Sequence, residues 1–349
     1  AEGSEGDSAR VAEVLEAMHG KPAIYHCVSR VVNRKFVLGA KEKEHFVKLM
    51  RLYERFSQVR ILTFCVMSNH FHLLVEIPEG PEDRGASWSD EEFLAHLETL
   101  YTGKKLAEIR LQLENLRKQE ANAAAEAFRQ GYFDRMWDLS AFMKTLKQRF
   151  TQWFNRVHGR RGVLWDGRFK SELVEDGHAT RTVAAYIDLN PVRAEMVADP
   201  KDYRWSGYGE AVGGKASARE GLRLVVFEQL LGLMSQEVAA QEVASWREVV
   251  RRYRVVLFAD GKRDARRRER GRGGISARRV ERVLSEGGKL GEGEMLRCRV
   301  RYFVDGLVLG RAGFVEQVYA LSREYFGAAR TSGSRKMRMT TSPLCTMRD

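Results

Sequence analysis

The stretch Met67–Glu76, MSNHFHLLVE, sets two histidines around one phenylalanine inside an otherwise apolar run. On a β-strand, residues two apart project from one face. His70 and His72 therefore point together, while Phe71 points into the opposite layer. Two imidazoles on one face suit a divalent metal, and two half-exposed polar residues on the wet face of a sheet would read the same way. Spacing alone leaves both readings open. Working outward, Val59–Met67, VRILTFCVM, forms with this run either a strand pair or one long bent strand. Upstream, Ala23–Val32, AIYHCVSRVV, is another β-rich run. Between them, Lys41–Phe56 carries Phe46, Leu49, Met50, Tyr53 and Phe56 at helical spacing. Strand, helix, strand predicts a small α+β domain whose sheet is covered by helices.

Residues 79–135 read as an insertion, with a loop-like opening followed by polar, alanine-rich helix. The domain resumes at Leu139–Gly159, where Phe142, Leu146, Phe150 and Phe154 mark one apolar stripe. Val163–Glu175 is strand-like with a glycine break, and Thr180–Asn190, TRTVAAYIDLN, reads as a helix that stops before Pro191. Beyond Tyr203–Ala216 the composition turns basic and helix-prone, interrupted by Gly261–Gly274, GKRDARRRERGRGG. That run reads either as a solvated linker or as a phosphate-contacting segment. Helices are expected around Ser276–Leu284, Glu294–Val304 and Gly313–Phe326, a set compatible with a helix-turn-helix and equally with any small helical bundle. The expected organisation is a tail with a short helix over 1–20, a central domain over 21–216, and a basic, mainly helical extension over 217–349.

Lys and Arg outnumber Asp and Glu by 59 to 47, and the resulting +12 suits a polyanion: nucleic acid or an anionic membrane surface. No run approaches the roughly 18 apolar residues of a spanning helix, and no charged-then-apolar leader opens the chain. A cytoplasmic protein associated with DNA or RNA is the expectation. Cys27, Cys65, Cys298 and Cys345 form no CxxC pair, and the first two read as reduced core residues. Arg30, Arg34, Arg168 and Lys170 are candidates for phosphate or base contacts, with plain surface charge as the competing reading. Trp165 and Trp205 read as core.

Tyr186 and Asn190 lie four apart on the Thr180–Asn190 helix, hence on one face. Asn190 offers a carbonyl oxygen to a hard cation, and Tyr186 a phenolic hydroxyl as nucleophile. Taken alone, a packed tyrosine and a helix-capping asparagine explain the pair better. The ordered set MSNHFHLLVE, LWDGRFKS, AAYIDLNPVRAEMV and YRWSGY, however, closely resembles the single-tyrosine HUH transposases, and more narrowly the REP-associated tyrosine transposases. The resemblance covers about Ala23–Ile77 and Leu139–Tyr208.

It implies an HUH-type small antiparallel sheet, with helices on one side and the active site on the other. It implies Tyr186 as the nucleophile, and His70, His72 and Asn190 as the ligands of Mg²⁺ or Mn²⁺. The implied substrate is single-stranded DNA carrying a REP-like hairpin, cut and rejoined through a 5′-phosphotyrosine intermediate. By intrinsic affinity two imidazoles and an amide take Zn²⁺ or Ni²⁺ at least as readily, so the choice of metal comes from the resemblance. A nucleoid-associated placement goes with it, and monomer and homodimer both stay open. His26 matches no motif and reads as structural. The alternatives are a hairpin-binding regulator that has lost the chemistry, an HUH replication initiator or relaxase, and a small metalloenzyme. Initiators and relaxases usually use other motif spacings, and a metalloenzyme lacks here its third His or acidic ligand.

Overall fold

In the computed structural model of the protein, the described residues are 22–83, 85, 87–231, 233–258, 296, 303, 306–337 and 342–348. The chain opens with β1 (Ala23–Arg30), α1 (Ala40–Phe56), β2 (Arg60–Val66) and β3 (His70–Ile77). The insertion supplies α2 (Asp90–Leu97), α3 (Gly103–Lys118) and α4 (Asn122–Phe133). There follow α5 (Leu139–Val157), β4 (Lys170–Val174), α6 (His178–Asp188), the one-turn α7 (Asn190–Arg193) and α8 (Gly207–Val212). Next come α9 (Ala216–Leu231), α10 (Gln236–Val243) and α11 (Trp246–Phe258), then β5 (Val308–Gly310), α12 (Ala312–Leu321), β6 (Arg335–Lys336) and β7 (Cys345–Met347).

The strands form one sheet in the order β2-β3-β1-β4-β5-β7-β6. β2, β3, β1 and β4 pair antiparallel, as expected. β1 and β3 are buried along nearly their whole length because helices cover both faces of these inner strands. On the first face, Phe71 packs 4.6 Å from Phe46 of α1 and 5.2 Å from Trp165, ring to ring, with Phe150 of α5 closing the group 5.2 Å from Phe46. The α1 stripe of Phe46, Met50, Tyr53 and Phe56 and the α5 stripe of Phe142, Leu146, Phe150 and Phe154 are buried here. The insertion docks on the same side, at the C-terminal end of α1: His96 donates to the Phe56 carbonyl at 2.9 Å, and Arg135 lies over the Phe56 ring. It adds to the first layer and leaves the second face of the sheet to other elements.

On that second face, Ile24, Leu62, Leu74 and Val174 meet Val183, Ala184 and Ile187 of α6, Leu222 and Val226 of α9, and Val249 and Leu257 of α11. A sheet with helices on one side only was the expectation; here the site face is covered as well. Gly221 is the reason α9 lies so close to β2. A Cβ there would sit 2.5 and 2.6 Å from the Leu62 and Ile61 carbonyl oxygens, which belong to backbone and cannot rotate aside. Gly221→Ala should therefore destabilise the fold by about 1–3 kcal/mol. A urea midpoint equal to that of the wild type would show that α9 does not rest on β2.

Two sequence expectations are corrected. Pro191 does not end the helical course: α6 stops at Asp188, and α7 restarts two residues on with Pro191 in its first turn. There the missing proline N–H is one that no helix uses. The described part of the extension is mainly helical, in α9, α10, α11 and α12, and residues 308–347 also add β5, β7 and β6 to the sheet, with β5 parallel to β4. Strands of two or three residues carry no alternation to read. Val163–Glu175 is strand only from Lys170, with Trp165 held in a lone bridge to Val31. The expected helix at Gly313–Phe326 is α12 followed by a 3₁₀ turn at Arg323–Tyr325. The short helix within 1–20, the run Gly261–Gly274, the helix at Ser276–Leu284 and most of Glu294–Val304 lie outside the described residues. Among the described residues, no helix is long and apolar enough to cross a membrane, and Cys27 and Cys65 are buried free thiols.

Candidate active site

The β2–β3 hairpin closes through Met67 N–H donating to the His70 carbonyl at 2.8 Å. Val31 N–H to Asn69 O and Leu38 N–H to Ser68 O tie this turn to the segment leaving β1. In register, His70 stands opposite Arg30, and His72 stands between Val28 of β1 and Cys65 of β2. His26 stands opposite Leu74 on one side and Glu172 of β4 on the other. His26, His70, His72, Arg30 and Glu172 therefore share the second face, and Phe71 takes the first.

The side chains converge on His72. Its ring centroid lies 5.1 Å from those of His70 and His26 and 6.1 Å from that of Tyr186, which meets it edge-on. Tyr186 is also 6.4 Å from His26. The ring of Tyr186 is 3% exposed, with Phe303 at 4.9 Å and the Arg193 guanidinium 4.0 Å from its centroid. Arg193 donates as well to the Tyr186 and Leu296 carbonyls, at 2.7 Å each.

Hydrogen bonds settle one tautomer. Asn69 Nδ2 donates to the Arg34 carbonyl at 3.1 Å, which turns Asn69 Oδ1 toward His70 Nδ1, 2.7 Å away. An amide oxygen only accepts, so His70 carries its proton on Nδ1 and its lone pair on Nε2. His72 Nδ1 lies 2.9 Å from His26 Nε2, and with His72 as donor the same holds for it. Burial holds the His72 imidazole well below its usual range, helped by the nearby His70, His26, Arg193 and Arg30. Burial likewise takes His26 down to about 4. Both rings are neutral at physiological pH, which is the form a metal binds.

The tyrosine helix is anchored from below. Asp188, fully buried on α6, accepts from Thr63 of β2 at 3.0 Å, from Tyr253 of α11 at 2.6 Å and from the Tyr208 backbone N–H at 3.1 Å. Burial raises its carboxyl to about 7, against the pull of these donors. The helix that carries Tyr186 is thus bonded both to the sheet and to the extension.

Asn190, four positions past Tyr186, opens α7 and is half-buried, with its backbone carbonyl accepting from Ala194. Arg30 is half-buried at the His70 end, and Arg34, Arg168 and Lys170 are exposed. Trp165 is core, while Trp205 is half-buried beneath Lys43. Sequence reasoning missed the parts played by His26, Asn69 and Arg193. His26 is two residues from Val28, which faces His72, so parity along β1 could have placed it. Arg193 lies seven positions past Tyr186, two helical turns, but the proline between them hid that spacing. Among the described residues, no group of three His, Cys, Asp or Glu side chains is placed to hold a metal.

The family model described as "Transposase IS200 like" matches residues 21–82. No curated protein matches the chain. Among solved structures, a REP-associated tyrosine transposase bound to a REP hairpin matches at 15% identity, over 55% of this chain and 80% of that one, with a TM-score of 0.35. Residues 21–82, which hold β1, α1, β2, β3 and the His70–Phe71–His72 motif, are the part of the chain similar to the IS200-like transposase family.

Proposed function

We propose that the chain is a tyrosine transposase of the REP-associated kind, cutting and rejoining single-stranded DNA that carries a hairpin. The observation that carries this reading is the approach of the Tyr186 ring to within 6.1 Å of His72, with His70 and His26 against the same imidazole. His70 and His72 fit a divalent cation in donor chemistry: each imidazole has a hydrogen-bond partner at Nδ1, leaving Nε2 as the donor atom. Asn190 is the third ligand in this reading, with Mg²⁺ or Mn²⁺ as the ion. When bound, such an ion polarises the scissile phosphodiester and offsets charge that builds on its oxygens.

The chain's own residues do the rest. Tyr186 Oη attacks phosphorus; the bond to phosphorus forms as the bond from phosphorus to the 3′ oxygen breaks. The phenol proton is lost and the leaving 3′ oxygen takes one up, so the product is a 5′-phosphotyrosine and a free 3′-OH. Attack by a 3′-OH in reverse reseals or transfers the strand. Arg193, stacked on the ring and bonded to the Tyr186 backbone, fixes the direction in which the phenol points. Arg30, Arg34, Arg168 and Lys170 supply positive charge for the phosphate backbone.

His26 holds His72 in its ligating tautomer. His26→Phe keeps the ring and removes the acceptor nitrogen, and should weaken Mn²⁺ binding about 10- to 100-fold. Titration followed by electron paramagnetic resonance of free Mn²⁺ checks this on the protein without DNA; unchanged affinity would remove His26 from the site. The function itself is tested with labelled single-stranded hairpin oligonucleotides, Mg²⁺, Mn²⁺ or EDTA, and denaturing gels. A metal-dependent protein–DNA adduct is expected. Tight hairpin binding with no adduct under any metal would leave a DNA-binding regulator.

A further inference from the structure

We propose that the turn after β1 presents Phe36 as a stacking platform for an unpaired base of single-stranded DNA, beside the His70 end of the site. This rests on the transposase reading and assigns it a base-contacting residue. Phe36 is 81% exposed, the highest value for any large hydrophobic side chain among the described residues. The turn that carries it is not loose. Asn33 and Arg34 both adopt left-handed backbone, at φ of 56° and 54°, a strained pair for residues other than glycine. Four bonds hold that shape: Arg34 N–H to Val31 O, Val32 N–H to Leu164 O, Leu38 N–H to Ser68 O, and Asn69 Nδ2 to Arg34 O. A rigid, strained turn that lifts an aromatic ring into water suits recognition better than packing.

Two neighbours decide what the ring meets. First, the turn has cations and no acid: Arg34 and Lys35 precede Phe36 and both are exposed. The next segment, bonded to Val32 through Leu164, adds Val163 at 71% exposure, the exposed Arg161 and Arg168 and the half-buried Arg160, against one exposed acid, Asp166. An exposed aromatic between cations matches single-stranded nucleic acid, where bases stack and the backbone runs over positive charge. Second, the turn is bonded to the site. Asn69 holds the Arg34 carbonyl with its Nδ2 and His70 Nδ1 with its Oδ1, so a base held on Phe36 is placed relative to a ligating imidazole.

The test uses the full chain and a fluorescein-labelled oligonucleotide with a short DNA hairpin and an unpaired flank, read by anisotropy. With so exposed a side chain, Phe36→Ala is expected to fold as the wild type does. It should bind about 5- to 150-fold more weakly, the range for one lost base–aromatic stack, with an unchanged salt slope. Phe36→Trp should restore affinity. Lys35→Gln should instead lower the salt slope by about 0.7, one single-strand phosphate contact. Replacing the flank with abasic nucleotides should erase the difference between wild type and Phe36→Ala. Equal affinity of Phe36→Ala and wild type for the intact probe overturns the inference, as does a variant altered only in oligomeric state by light scattering. Wild type that neither binds nor cuts the probe would instead sink the transposase reading on which this stands.

Discussion

Tyr186→Phe should keep hairpin affinity and lose strand cleavage by at least about a thousandfold, the scale expected when a nucleophile is removed from a covalent mechanism. The substitution is conservative because the ring, more than the hydroxyl, makes the contacts described above. The edges of His72 and His26, the face of Phe303 and the Arg193 guanidinium all meet carbon atoms of Tyr186 or its aromatic face. Backbone anchoring through Arg193 and through Asp188 two residues on is untouched. Single-turnover cleavage of a labelled hairpin, with binding measured in parallel, separates the two effects. Residual cleavage near the wild-type rate would mean that water or another residue attacks the phosphorus.

The second large effect is on stability and its pH dependence. Asp188 is protonated in the fold up to about pH 7 but in the unfolded chain only to about 3.8. Between these values the unfolded chain binds fewer protons, so stability falls as pH rises. Over the window of about three pH units the loss is roughly 4 kcal/mol. His26 and His72 act in the opposite sense: their folded imidazoles stay neutral, so their contribution is lost as pH falls below the usual histidine range. The sum of these groups is therefore uninformative, and the comparison with Asp188→Asn is what isolates the carboxyl. That variant should gain on the wild type by about 4 kcal/mol between pH 4 and pH 8 in urea denaturation. A difference that does not change with pH would show that Asp188 ionises in the fold as it does in water.

The two positions are physically linked, which is why the extension matters to the site. Asp188 ties α6 to Tyr253 of α11 and to the start of α8, so residues well beyond the sequence resemblance hold the helix that presents Tyr186. Nothing in the sequence of α11 announces this. A tyrosine in an amphipathic helix reads as core, and its hydroxyl partner lies 65 residues away.

What was legible followed from short periods. The two-residue period of β3 put His70 and His72 on one face and Phe71 on the other, and the 3.6-residue period marked α1 and α5 correctly to within two residues at each end. What was not legible depends on register or turn geometry. The bond from His72 to His26 needs the diagonal offset between β1 and β3. The Asn69 bridge needs the left-handed turn at Asn33 and Arg34. The parallel pairing of β5 with β4 joins strands with 133 positions between Val174 and Val308, too far for local pattern to report.

The most direct test of the account maps the covalent bond. After reaction with a hairpin oligonucleotide and Mn²⁺, nuclease and trypsin digestion would release the peptide Thr182–Arg193, TVAAYIDLNPVR, in which Tyr186 is the sole tyrosine. The account predicts this peptide heavier by a nucleotide phosphate, with fragment ions placing the added mass on Tyr186. An unmodified peptide from a sample in which DNA was cut, with a free 5′-phosphate on the product, would contradict it.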